Sequence, residues 1–393
     1  MNRQSQFRTT EILLLSGAHF IHDVYASFLA PLLPLLIEKF SITLAQAGML
    51  SAIMQAPALL NPFIGMLADR MNLRMFVILA PMLTAVPMSM LGLAPTYGVT
   101  MLLLLLAGTS VAMFHVPAPV MVARMAGNLT GTGMSFFMTG GELARTVGPV
   151  TAVSAVSLLG LQGSWPIMVA GIAASFVLFV RFRDVDIELH SNTSIPLSTT
   201  LREMRKVLLP ITFIVIARSF MYGCMTAFLP TFVTKHGGTI WLGGICLTMF
   251  EAAGVAGALT SGSLSDIIGR KRMLLISLIG APLGVVCLMF TIGSDQATIG
   301  SCPVTSAILL LITGFMLLST TPVVLAVIQE HAERSPAAAN GIYMMVSFIA
   351  RSSVVVLIGF IGDHAGLRTA YLLSAAAGTL GIPFVMMLPS RKK

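Results

Sequence analysis

Twelve apolar runs, each about as long as a lipid bilayer is thick, constrain this chain more than any other feature. They cover roughly 11–38, 44–67, 75–95, 98–122, 132–160, 164–182, 207–234, 242–265, 273–292, 304–328, 337–361 and 369–389. A membrane-spanning α-helix needs about 20 mainly apolar residues. Only 10% of the chain is charged and 56% is hydrophobic, with a mean hydropathy of +0.91. A soluble domain carries roughly a quarter charged residues, so the expected solvent is a membrane. Lipid offers the backbone no hydrogen bonds, so each run is predicted to be a helix and the fold all-α. Arg3 and Arg8 sit where a leader's basic residues would. The run behind them is too long for a signal peptide and carries His19, His22 and Asp23, so it reads as the first permanent helix.

The net charge of +8 reads as membrane topology rather than a nucleic-acid footprint. With the N-terminus placed in the cytoplasm, 17 of the 23 Lys and Arg residues fall on the cytoplasmic side, and Lys39, Lys235 and Arg368 on the other. That asymmetry predicts a multi-pass membrane protein with both termini cytoplasmic. The four cysteines show no metal or disulfide spacing. No Walker loop, His-Glu-x-x-His or Gly-x-Ser-x-Gly is present, so neither an enzyme nor a cofactor is expected, and transport energy would come from an ion gradient.

The runs repeat. Gly65-Met-Leu-Ala-Asp69-Arg70 returns as Gly262-Ser-Leu-Ser-Asp266, followed by Gly269-Arg270-Lys-Arg, 197 positions later in a chain of 393. Pro34 corresponds to Pro230, Gln55 to Glu251, and Ala144-Arg145-Thr146 to Ala350-Arg351-Ser352. The longest polar stretch lies midway. The predicted organisation is a six-helix bundle over 1–183, a cytoplasmic linker over 184–206 and a second six-helix bundle over 207–393.

The paired Gly-x-x-x-Asp turns, twelve runs and central linker resemble the major facilitator superfamily along the whole chain. Within it the chain is similar to the fosmidomycin-resistance group of bacterial drug exporters. That likeness rests on His19-Phe-Ile-His-Asp23, Leu32-Leu-Pro-Leu-Leu, Phe114-His115-Val-Pro117-Ala, Arg124-Met-Ala-Gly and Gly140-Gly-Glu-Leu-Ala-Arg-Thr-Val-Gly148-Pro149. Val116 stands where that pattern leads one to expect a second proline. The resemblance to bacterial exporters implies the cell inner membrane as the location, and a cavity lined by helices 1, 4, 7 and 10. It also implies a charge pair that latches the cytoplasmic face, for which Asp69, Arg70, Arg124, Asp266 and Arg270 are the gate candidates.

Ionisable residues inside membrane runs are few: His19, His22, Asp23, His115, Glu142, Arg145, Arg218, Glu251 and Arg351. Such residues are costly in lipid and mark pathways, sites or structural pairs. Arg145 and Arg351 hold matching repeat positions and could fork onto a carboxylate, phosphate or phosphonate. Neutralisation by nearby carboxylates is the equal alternative, and Glu142 stands three residues from Arg145 on one helix face. Arg218, His115 and His19 complete the expected substrate-binding set. Low dielectric disfavours a charged carboxylate, which makes Asp23 the first proton-coupling candidate, with His19 one turn back, and Glu142 and Glu251 the next. Asp23 could instead be a fixed counter-ion to Arg218 or Arg145. His22 points about 100° away from Asp23 on a helical wheel and reads as a packing or interfacial residue.

These readings converge on a monomeric secondary transporter, an antiporter that exports a small anionic drug or metabolite against protons by alternating access. A proton-coupled importer of organic anions is the alternative. A sensor or assembly protein that kept the fold and lost transport is the third.

Overall fold

The computed structural model describes residues 7–61, 63–64, 73–183, 201–291, 304–331 and 336–389. Asp69 and Arg70 lie outside the described residues, as does most of the linker. The described residues are helical, with no strand among them.

The first long polypeptide stretch is α1 (Thr9–Ala26) and α2 (Leu29–Phe40). They are separated where Pro31 has no N–H to offer the carbonyl of Ser27. α3 (Leu44–Gln55) runs into a 3₁₀ turn over Ala56–Leu60, with Pro57 near its start. Then follow α4 (Arg74–Ser89), α5 (Tyr97–His115), α6 (Pro117–Ala126), α7 (Thr130–Gly163) and α8 (Val169–Phe182). The second half brings α9 (Arg205–Gly223), a π-helical turn over Cys224–Phe228, α10 (Leu229–Lys235), α11 (Ile240–Ile268) and α12 (Arg270–Thr291). It ends with α13 (Val304–Leu318), α14 (Thr320–His331), α15 (Pro336–Thr379) and α16 (Ile382–Met387).

Ten helical stretches among the described residues are long and apolar enough to cross a membrane, and Leu44–Leu60 is a shorter apolar one. One of the ten, Ile342–Met387, is 46 residues long. At about 1.5 Å per residue that is more than twice the ~30 Å of a hydrocarbon core. Gly366, at φ 80° and ψ 153°, breaks it, in the gap between the last two apolar runs. Counted as two, with Leu44–Leu60 added, the crossings are the twelve of the sequence reading. The outward residues fit a lipid solvent: Leu158, Ile267 and Phe360 are all largely exposed.

Contacts divide the chain into two compact units. Unit 1 comprises residues 1–35 and 53–192, and unit 2 comprises 36–52 and 193–393. Unit 1 is packed around Ile12, Leu15, Phe114, Val122, Phe137 and Phe182. Unit 2 is packed around Ile214, Leu274, Leu278, Val323, Ile328 and Val385.

Residues 36–52 are held in unit 2 by specific chemistry. The first backbone N–H groups of a helix have no partner within it. At the start of α3, Leu44 N–H donates to Asp363 Oδ1 at 2.7 Å and Ala45 N–H to Oδ2 at 2.8 Å. Thr43 and Gln46 form a reciprocal capping box. Gly48 and Gly359 allow the backbones to touch: a Cβ on Gly48 would lie 2.7 Å from the Val355 carbonyl oxygen, and one on Gly359 would strike the Leu44 carbonyl. Asp363→Ala should cost about 1 kcal/mol of stability, the scale of a lost helix cap. A thermal shift of the purified protein measures it, and an unchanged midpoint would show the cap to be redundant.

Candidate functional site

Asp23 is the centre of a polar cluster inside unit 1. Four residues behind it on α1, His19 places Nε2 3.3 Å from Asp23 Oδ2. The adjacent His22 places Nδ1 2.7 Å from Oδ1. His115 places Nε2 3.4 Å from Oδ2. His115 is the last residue of α5. The helix is interrupted there because Pro117 opens α6 and lacks an N–H, and the interruption sets the imidazole beside α1.

Backbone carbonyls fix the tautomers of two of the rings. His19 Nδ1 lies 2.8 Å from the Phe137 carbonyl oxygen, and His115 Nδ1 lies 3.0 Å from the Val111 carbonyl oxygen. A carbonyl only accepts, so both Nδ1 atoms carry hydrogen and donate. In a neutral ring the remaining Nε2 is then a lone pair. Two such lone pairs facing one carboxylate oxygen repel it unless a proton sits among the three atoms. The cluster is therefore built around at least one shared proton, on an imidazole or on the carboxyl. His22 differs: its Nδ1–H donates to the carboxylate, and its buried Nε2 has no hydrogen-bond partner.

The walls are aromatic. His19 stacks on Phe137 at 4.1 Å between centroids and His22 on Phe114 at 4.6 Å. Both phenylalanines are buried. The cluster reaches the accessible surface through His115, whose side chain is 36% exposed, against 0% for His22. Two glycines of α7 make the arrangement possible. A Cβ on Gly140 would strike the Ser16 carbonyl oxygen of α1, and one on Gly141 would lie 2.5 and 2.6 Å from Cε1 and Nε2 of His19. Without those side chains α7 lies directly on α1, close enough for Phe137 to offer its carbonyl to His19.

Further along α7, Arg145 donates to Glu142, three residues back. Arg145 and Arg351 fall in different units, and each has partners inside its own.

In unit 2, Arg218 on α9 donates from Nε to the Leu317 carbonyl at 3.0 Å. Its guanidinium carbon lies 5.1 Å from the centroid of Tyr222. Arg351 on α15 lies 5.7 Å from the same ring and 5.4 Å from Phe348. Glu251 is buried on α11, 5% exposed.

Among the gate candidates, Arg124 is half-buried in the last turn of α6. Arg270 is the hub of the second turn. It pairs with Asp266 at 2.6 Å and Glu330 of α14 at 3.0 Å, and donates to the Gly262 carbonyl at 3.1 Å and to Ser265 Oγ. Gly269, at φ 98°, supplies the left-handed residue that ends α11 and turns the chain into α12.

Three residues in these groups escaped the sequence reading. His22 was set apart by its angle on the helical wheel, yet adjacent side chains can meet at their tips. Glu330 follows from a signal already present: the 206-residue offset that carries Arg145 to Arg351 carries Arg124 to Glu330. Tyr222 stands four residues after Arg218, the spacing that brings side chains together on one helix face.

The model of the Major Facilitator Superfamily matches residues 15–353 and 242–393. The chain belongs to that superfamily. It is 27% identical over 388 residues to the fosmidomycin resistance protein of Escherichia coli (strain K12), covering 96% of this chain and 93% of that protein. Among solved structures it is similar to a bacterial homolog of the human lysosomal transporter Spinster. The inward-facing unoccupied form aligns with a TM-score of 0.80 at 14% identity, covering 97% of this chain and 98% of that one. The inward-facing occupied form aligns with a TM-score of 0.83 at 13% identity, covering 97% of each. At such identities these structures establish the fold alone. The chain is thus a multi-pass membrane transporter of the major facilitator fold.

Proposed function

We propose that this transporter is a proton-driven exporter of a small anion, working by alternating access in the cell inner membrane with both termini cytoplasmic. One observation carries the proposal: a carboxylate in a membrane-spanning helix, faced by three imidazoles, two of them with tautomers that require a shared proton. Intramembrane carboxylate and histidine groups are the parts from which proton relays are made. A divalent ion could also satisfy three acceptor atoms lying within 4.8 Å of one another. It would bring two positive charges where one proton already meets the lone-pair count.

In this reading Asp23 holds the coupling proton, and His19 and His115 share it. His19 and His115 thereby move from the substrate set to the proton set. Glu142 and Glu251 are secondary proton candidates, and Arg145 is held by Glu142 on its own helix. The bundles over 1–183 and 207–393 rock about the linker, and the basic turns with Arg124, Asp266 and Arg270 latch and release the cytoplasmic side. Efflux rather than uptake follows the name of the E. coli relative. A ligand can drive the cycle only through different affinities for the two states, so proton and substrate must bind in alternation.

Two measurements test this together. Expression in fosmidomycin-susceptible bacteria should raise their resistance, and a protonophore should erase the gain. Purified protein in liposomes should move protons when fosmidomycin is added across the membrane. Absence of both the resistance gain and the substrate-driven proton movement would overturn the proposal.

A further inference from the structure

We infer that Arg218, Tyr222 and Arg351 of unit 2 form the anion subsite, with Tyr222 as the residue that orients both guanidiniums toward a tetrahedral oxyanion. The inference rests on the reading of this transporter as an anion carrier and names where the anion is held.

Two arginines from different helices converge on one ring, at 5.1 and 5.7 Å from its centroid. Within about 6 Å the ring's quadrupole attracts a guanidinium. A guanidinium is a planar fork of donors suited to two oxygens at once. Two forks suit a phosphate or phosphonate better than a lone carboxylate, because the tetrahedral group offers three oxygens and two charges.

Three further observations support the assignment. The bond from Arg218 Nε to the Leu317 carbonyl fixes the plane of that guanidinium. Arg218, Tyr222 and Arg351 are half-buried, so none of the three is sealed in the core. The helix leaves its α-helical register after Gly223, in the π turn of Cys224–Phe228. Pro230 follows without an N–H, and the Thr226 hydroxyl donates to the Tyr222 carbonyl at 2.7 Å. Single π turns inside α-helices cluster at functional sites. Here the turn begins two residues after Tyr222 and is tied back to its carbonyl by Thr226.

The test uses full-length protein in liposomes with methylphosphonate as the probe, reading concentration-dependent proton movement. Tyr222→Phe keeps the ring and should leave KM within about twofold of wild type. Tyr222→Leu removes it and should raise KM about tenfold with little change in kcat, the scale of a partly desolvated cation–π contact. Arg218→Lys and Arg351→Lys keep the charge, lose the fork, and should also raise KM. A Tyr222→Leu protein with wild-type KM would overturn the subsite while leaving anion export standing. If wild-type protein moves no proton with methylphosphonate or fosmidomycin, anion export itself fails. Binding in detergent, read as a thermal shift, distinguishes the source of the oxyanion. A shift with methylphosphonate assigns a soluble ligand. A shift with phosphatidylglycerol alone, absent in Tyr222→Leu, assigns a lipid headgroup at the same residues. No Tyr222-dependent shift with either overturns the subsite.

Discussion

Asp23→Asn should abolish proton-driven transport and leave the protein folded. The amide nearly matches the carboxyl in shape, and its NH₂ can take the place of Oδ2. Two hydrogens on that nitrogen can then point at the Nε2 lone pairs of His19 and His115, which now face Oδ2 at 3.3 and 3.4 Å. The amide oxygen can still accept from His22 Nδ1, 2.7 Å away in the native cluster. Every hydrogen bond survives, and the side chain that holds the coupling proton in this reading can no longer gain or release it. Substrate-dependent proton movement in liposomes should fall to the level of protein-free vesicles. Exchange of labelled against unlabelled substrate, which needs no net proton transfer, should persist. Transport driven by a pH gradient at wild-type rate would remove Asp23 from the coupling role.

Gly141→Ala should be nearly as damaging, although alanine is the better helix former. The new methyl would occupy space 2.5 and 2.6 Å from Cε1 and Nε2 of His19, so the imidazole or all of α7 must move. Displacing the ring breaks its bond to the Phe137 carbonyl and its approach to Asp23. Overpacking of this kind costs on the order of 1–3 kcal/mol. The loss of coupling should be larger than the loss of stability, because the ring that must move is the one that faces Asp23. Gly17→Ala is the control: a Cβ there meets nothing within 4 Å, and transport should be unchanged. Wild-type proton coupling in Gly141→Ala would show that α1 and α7 have room to yield.

The elements of the fold were legible because lipid thickness fixes a helix length and leaves little else to satisfy the backbone. Even the fold-back between the last two runs shows as a gap around Gly366, where the backbone turns left-handed. The local part of the Asp23 cluster was legible too, since His19 and Asp23 stand four apart. His115 was not. It lies on another helix, and its approach depends on the interruption before Pro117 and on α7 closing down on α1 through Gly140 and Gly141. No single-helix pattern reports such contacts. The convergence of Arg218 and Arg351 on Tyr222 escaped for the same reason: the repeat matches Arg351 with Arg145, whereas the ring in unit 2 joins it to Arg218.

The placement of residues 36–52 bears on the order in which the molecule assembles. They are translated early, between two segments of unit 1, and they pack in unit 2. Their caps come from Asp363, up to 319 positions downstream. Until that aspartate emerges from the ribosome, the Leu44 and Ala45 amides lack this cap, and only the Thr43–Gln46 box serves the start of α3. Its final docking is among the most sequence-distant contacts in the protein, and closures of that span come late and slowly. A nascent chain halted before Asp363 would hold unit 1 largely finished and this one short helix still waiting for its partner.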